Sequence, residues 1–248
     1  MTLSSRRARM PGQTVSRRRS RPSVLDPSRV PSLARRHGIW VVAPPIVLGL
    51  VAATVAASEQ LTSGPFAADA AWSATLDGFY PGDIGVTVAL LLNHVVLEPG
   101  QAVFLAAGNL HAYLKGAGIE LMANSDNVVR GGLTPKHIDI EELLAVVDCT
   151  PIDAPIQTAS SSVHTFDTPV PEFALTRLDV TAEQACDGRG PEILILTEGR
   201  AAVTSANGDS FEVGPGEPVW IPAADNGYTL APVPETSRVV AFRTSPAI

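Results

Sequence analysis

PGEPVWIPA, residues 215–223, is a tight turn running into a short apolar strand. Pro215 and Gly216 close the turn, and Val219, Trp220 and Ile221 are residue types that fill a pleated, half-buried surface. The pattern stands in the sequence twice. At an offset of 116 residues, PGQAVFLAA (99–107) repeats the Pro-Gly turn and the strand. Around the later copy lie further β-patterned runs: Phe173–Val180, Ile193–Glu198, Ala201–Ser205, Phe211–Val213, Tyr228–Leu230 and Arg238–Phe242. Together with Val219–Pro222 they make seven short runs in about eighty residues, punctuated by Gly and Pro, which predicts an antiparallel sandwich or barrel. The internal repeat predicts two related modules of jelly-roll type.

The two copies differ where chemistry is concerned. At the same offset His111 falls on Gly227 and Tyr113 on Thr229, so the later copy keeps the scaffold and lacks the polar groups. Any reaction or ligand site therefore belongs to the earlier copy. Its richest stretch is HAYLKGAGIELMANSDNVVRGGLTPK, residues 111–136. Histidine, glutamate, arginine and lysine stand there among glycines and apolar residues, the mixture a pocket for a small polar ligand or a metal requires. Imidazole is a good zinc ligand. Arg130 and Lys136 are two cations within six residues, suited to a phosphate or a developing oxyanion. Strand alternation places His111 and Tyr113, with Glu120 across the Lys115–Gly118 turn, on one inward face of a hairpin formed by Leu110–Leu114 and Ile119–Met122. Asn124-Ser125-Asp126-Asn127 is a turn former.

Upstream, residues 46–93 read as three short helices. Ile46–Leu61 is the first. Phe66–Phe79 is the second, with Phe66, Ala70, Leu76 and Phe79 as its apolar residues. Ile84–Asn93 is the third, capped by Asp83. Another helix starts at Asp139 and runs to about Val147, with Ile140, Leu143, Leu144 and Val147 on one side. Gly38–Ala57 has no charge and is long enough to span a bilayer. Pro44 and Pro45 argue against a single spanning helix, because each removes a helix donor; a membrane anchor is the minority expectation. Residues 1–37 hold ten arginines and one aspartate, a net +9, while the rest of the chain carries −16 and the whole −7. The acidic body argues against a nucleic-acid partner, and the basic head predicts a disordered tail. Cys149 and Cys186, without a C-x-x-C pattern, predict two reduced thiols.

His-Ala-Tyr-Leu (111–114), Ile-Glu (119–120), Met-Ala-Asn-Ser-Asp-Asn (122–127), Arg130 and Gly-Leu-Thr-Pro-Lys (132–136) together resemble a signature of type I phosphomannose isomerases. Tyr-Pro-Gly-Asp (80–83) and Ala-Leu-Leu-Leu-Asn (89–93) extend the likeness to about Ile46. The resemblance implies a mainly β fold of two cupin-like jelly-roll modules, preceded by a short helical segment and a disordered basic N-terminus. The expected organisation is a 1–37 tail, a 38–93 helical segment, a 94–150 β module with its helix, and a 151–248 C-terminal module. It implies zinc-dependent exchange of mannose 6-phosphate and fructose 6-phosphate in the cytoplasm. The residue matching His111 is a zinc ligand in that family and the one matching Arg130 is the catalytic cation; those matching Tyr113, Glu120 and Lys136 line the sugar-phosphate pocket. The family's zinc also takes a Gln-x-His pair and a Glu from an earlier module, and this sequence holds no Gln-x-His. That departure implies a truncated, inactive relative, a partner supplying the missing metal ligands, or a non-catalytic cupin-type module that binds a sugar phosphate.

Overall fold

The structure, a computed structural model, describes residues 2–4, 39–124, 128–188 and 190–247. It divides the chain into two compact units that are interleaved in sequence. The first holds residues 1–94, 105–116 and 126–152; the second holds 95–104, 117–125 and 153–248.

In chain order the elements begin with β1 (Thr2–Ser4), followed by α1 (Ile39–Gln60), α2 (Ala67–Phe79) and α3 (Gly85–Ala89). Next come β2 (Gln101–Val103), β3 (Val128–Arg130) and α4 (Ile140–Val146). The remainder is β: β4 (Ile156–Thr158), β5 (Val163–Thr165), β6 (Ala174–Val180), β7 (Gln184–Cys186), β8 (Glu192–Glu198), β9 (Ala201–Ser205), β10 (Ser210–Val213), β11 (Pro218–Ile221), β12 (Tyr228–Pro232) and β13 (Val239–Ser245). The protein is thus mainly β, with three α-helices before residue 90, a fourth at Ile140–Val146 and a 3-10 turn at Ala223–Asp225.

The first unit is organised by a small apolar cluster of Val51 from α1, Leu76 from α2, Val86 from α3 and Leu133, flanked by Val55, Tyr80, Ala89 and Leu114. Helix α2 turns Ala70, Ser73 and Leu76 inward at a spacing of three, as a single helical face must. Phe66 and Phe79, expected on that face, are 68% and 72% exposed, because they sit at the two ends of the helix, outside its buried middle.

One further expectation is corrected here. Helix α1 continues through Pro44 and Pro45 and starts at Ile39. The prolines are its sixth and seventh residues, and each lacks a backbone donor, so the helix passes through its second turn without those two bonds. Among the described residues no helix is long and apolar enough to cross a membrane. Of the tail expected to be disordered, Thr2–Ser4 form a strand paired antiparallel with β3, Thr2 opposite Arg130. Such a ladder joins backbone to backbone and asks little of side-chain composition. Residues 5–38, with the arginines, lie outside the described residues.

The second unit is a two-sheet sandwich. One sheet has the order β10-β9-β12-β7 and the other β11-β8-β13-β6-β5, with β2-β4 as a separate pair. Every pairing between named strands in the two sheets is antiparallel. Alternating residues fill the space between them: Leu194 and Leu196 from β8, Val203 from β9, Leu230 from β12 and Ala241 from β13 are each no more than 3% exposed. Each of the seven predicted runs overlaps a strand of this sandwich.

The internal repeat is visible atom by atom. Gln101 N donates to Glu98 O (2.9 Å), and Glu217 N donates to Gly214 O (3.2 Å). In the same turns Glu98 N donates to Gln101 Oε1 (2.9 Å), and Gly214 N to Glu217 Oε2 (2.6 Å). Gly100 and Gly216 both have positive φ, 89° and 80°. All these positions correspond at the offset of 116.

Candidate functional site

The segment carrying His111 is held by the apolar residues on either side of it. A Cβ placed on Gly131 would lie 2.6 Å from Leu110 Cδ1 and 3.8 Å from Leu143 Cδ1, so Leu110 and α4 close directly on the backbone after Arg130. Three residues beyond His111, Leu114 packs on the helical cluster that contains Leu133. Residues 110–114 are thereby pinned to the 131–133 loop at two points. His111 and Arg130 are the immediate chain neighbours of Leu110 and Gly131, the two residues in contact.

His111 is half-buried, and its Nδ1 lies 3.1 Å from the backbone carbonyl of Asn109. The carbonyl can only accept, so it selects the tautomer with the proton on Nδ1 and leaves Nε2 with a lone pair to offer. Asn109 is itself fixed, its Oδ1 accepting from Ala106 N at 3.1 Å. The rings of His111 and Tyr113 meet edge to face, with centroids 6.3 Å apart and planes at 71°. Tyr113 is 77% exposed.

Arg130 ends β3 and is half-buried; Lys136 is exposed, and its backbone N donates to Thr134 Oγ1 at 3.2 Å. Between them Gly132 has φ 139° and Leu133 has φ 51°. Leu133 is only 7% exposed. Helix α4 begins where this loop ends, and Asp139 Oδ1 caps it by accepting from Glu142 N at 3.1 Å. Its Ile140 and Leu144 are 53% and 72% exposed, so the apolar face expected of this helix is only partly buried.

Four of the five site residues expected from sequence, His111, Tyr113, Arg130 and Lys136, lie in the first unit. Glu120 belongs to the second, where it is exposed. The hairpin expected across Lys115–Gly118 is not formed. The chain leaves one unit for the other at Gly116–Ala117, so its two arms do not share a sheet. Ser125, Asp126 and Asn127 of the predicted turn lie outside the described residues.

Among the described residues no group of three or more His, Cys, Asp or Glu side chains stands where it could hold a metal ion. His94 is occupied with Asp69 (Nδ1 to Oδ1, 2.8 Å), an isolated pair on the helical side. His111 thus offers one nitrogen, and the residues described here do not complete a zinc site around it. The second copy is barred from offering even that. At Gly227, which corresponds to His111, φ is 117° and a Cβ would lie 2.8 Å from Cys186 O.

Sequence reasoning made Asp83 the cap of a helix over 84–93; the helix is Gly85–Ala89 with Ile84 at its N-cap position, and Asp83 instead joins two backbone amides. Oδ1 accepts from Gly85 N (2.7 Å) at the start of α3, while Oδ2 accepts from Leu133 N (3.1 Å) fifty residues away. Sequence reasoning did not single out Leu110 and Leu133, whose hydrophobicity is visible but whose contacts are not.

No family model matches the chain. Curated relatives do. Over 168 residues it is 39% identical to mannose-6-phosphate isomerase of Salmonella typhimurium, covering 65% of this chain and 42% of that protein. Over 157 residues it is 40% identical to mannose-6-phosphate isomerase of Escherichia coli, covering 61% and 40%. Among solved structures, the Salmonella typhimurium mannose 6-phosphate isomerase bound to its substrate and zinc matches with a TM-score of 0.66 and 33% identity, over 80% of this chain and 49% of that one. Part of this chain is therefore related to the type I phosphomannose isomerases in sequence and in fold. It spans about two fifths of the length of these curated relatives.

Proposed function

We propose that this chain carries the sugar-phosphate-recognition part of a mannose-6-phosphate isomerase. One observation supports the reading: the side chain of Leu110, next to His111, packs on Gly131, next to Arg130. A phosphorylated sugar offers a dianion at one end and hydroxyl or carbonyl oxygens at the other. Arg130 and Lys136 supply positive charge from one short loop, the first as a planar fork and the second as a point charge. His111, with Nε2 free to accept or to ligate, and the exposed Tyr113 ring beside it suit the sugar end.

Aldose–ketose exchange moves a proton between C1 and C2 through an enediol, and the oxyanion it develops favours a fixed cation such as Arg130. In this family zinc would polarise the reacting oxygens. The described residues of this chain do not form a self-contained zinc site. Turnover requires ligands from a second polypeptide or from further protein beyond the described residues. Without them the chain is a non-catalytic sugar-phosphate-binding module, a reading favoured by the lack of a three-ligand metal cluster among the described residues. Cys149 and Cys186 are both unbridged thiols, which suits the reducing cytoplasm where sugar phosphates are found.

Calorimetric titration of the purified chain with mannose 6-phosphate, alongside its zinc content and isomerase rate, tests the proposal. Saturable binding is expected, weakened about tenfold or more by Arg130→Ala and by Lys136→Ala as charge-assisted contacts are lost. Zinc should fall well short of one per chain, with no turnover. Absence of binding would sink the proposal, and turnover by the chain alone would sink its non-catalytic form.

A further inference from the structure

We propose that Asp83 is a positioning residue for the anion-binding loop 130–136, acting through the backbone of Leu133. The inference deepens the reading that this loop receives a phosphate, and rests on it. The loop runs from Arg130 to Lys136, and Leu133 stands midway, three residues from each cation. A leucine at φ 51° is in the left-handed region that residues other than glycine seldom adopt. Something must hold it there, and two things do. The side chain is buried with Val51, Leu76 and Val86. The N–H donates to Asp83 Oδ2 at 3.1 Å.

The carboxylate is itself fixed by its surroundings. Its other oxygen accepts from Gly85 N at 2.7 Å. The turn before it is closed by Asp83 N donating to Tyr80 O (3.1 Å) and by Gly82 N donating to Asp77 Oδ1 (2.9 Å). Space around it is tight. A Cβ on Gly132 would lie 3.1 Å from Asp83 Oδ1, and one on Gly85 would lie 2.9 Å from that oxygen and 2.8 Å from Leu133 Cγ. Two backbone amides from distant parts of the chain thus converge on one carboxylate. The helical segment sets the loop's shape through that carboxylate.

The two roles of Asp83 separate by substitution. Serine keeps one oxygen to accept from Gly85 N, yet it has no second with which to reach Leu133 as well. Asparagine keeps a single acceptor oxygen for two amides. In the full-length chain, Asp83→Ser should melt close to wild type. Its Leu133 amide should exchange with solvent about tenfold faster, and mannose 6-phosphate affinity should fall about tenfold. Asp83→Asn should fall between the two. Wild-type exchange at Leu133 with unchanged affinity in Asp83→Ser overturns the proposal. So does a general loss of protection across all the helices, which would make the residue a structural support and nothing more. If the wild-type chain does not bind mannose 6-phosphate, the proposed function fails, while exchange at Leu133 still decides whether Asp83 governs the loop.

Discussion

At Gly131 the chain has room for a hydrogen atom and no methyl group, because Leu110 Cδ1 occupies the place a Cβ would take. Gly131→Ala therefore has to push Leu110 aside, and with it the segment that carries His111. Leu110 is the end of a flexible side chain, so the stability cost should stay near about 1 kcal/mol. The effect on ligand should be larger: mannose 6-phosphate affinity in Gly131→Ala is expected to drop by more than the melting temperature would suggest. Calorimetry beside thermal unfolding checks this, and an unaltered affinity would mean that the Leu110–Gly131 contact does not hold the site. The sequence displays the two glycines after Arg130 and thereby announces an unusual backbone. It does not disclose that one of them receives Leu110, or that the leucine after them adopts a left-handed φ. Those facts arise from packing between segments twenty and fifty residues apart, and local patterns carry no record of such contacts.

Among elements, β6 and β13 are tied by charge as well as by their ladder, which sets Val240 opposite Asp179. Arg238 grips Asp179 with two bonds (Nε to Oδ1, 2.7 Å; Nη2 to Oδ2, 2.8 Å), and Arg177 Nη2 adds a third at 2.7 Å. Bonding to Arg238 is the main reason the Asp179 carboxyl is held down to about 2, with Arg177 contributing and partial burial opposing. A carboxyl whose folded pKa lies below its unfolded value stabilises the fold above the unfolded pKa near 4 and loses that contribution as pH falls through about 2. Because the pair is partly solvated, on the order of 1 kcal/mol is at stake. Denaturant unfolding at pH 4.5 and at pH 2 (values chosen about these pKa limits) should show the wild type losing that much more than Asp179→Asn. Equal losses would refute the assignment. Strands at this scale were legible wherever alternation was long: β6, β8, β9 and β13 all fall within predicted runs or overlap them closely. The three-residue strands β4, β5 and β7 escaped, being too short to display a period. The turn repeated at 98–101 and 214–217 was legible because it depends on local chemistry, a glycine of positive φ and a side-chain acceptor reaching back three residues.

For the whole molecule, sequence suggested modules laid end to end, whereas the two units exchange the chain five times between residues 94 and 153. Hydrophobic patterning tells a segment that it must be buried and leaves open against which neighbour. Residues 95–104 illustrate this, since β2 leaves the helical unit to pair with β4. The interleaving is nonetheless uneven. Every buried residue of the sandwich core, from Leu178 to Ala241, lies after residue 153, as do both of its sheets. What the second unit draws from earlier in the chain, so far as named strands go, is β2, one partner of a separate two-stranded ladder. The fragment 153–248 should consequently fold alone. It should give a β-type far-ultraviolet spectrum and a cooperative thermal transition, lowered by only a few degrees for the lost ladder. A fragment that melts without cooperativity would show that the interleaved segments contribute more than β2 to the sandwich, and that the two units fold as one.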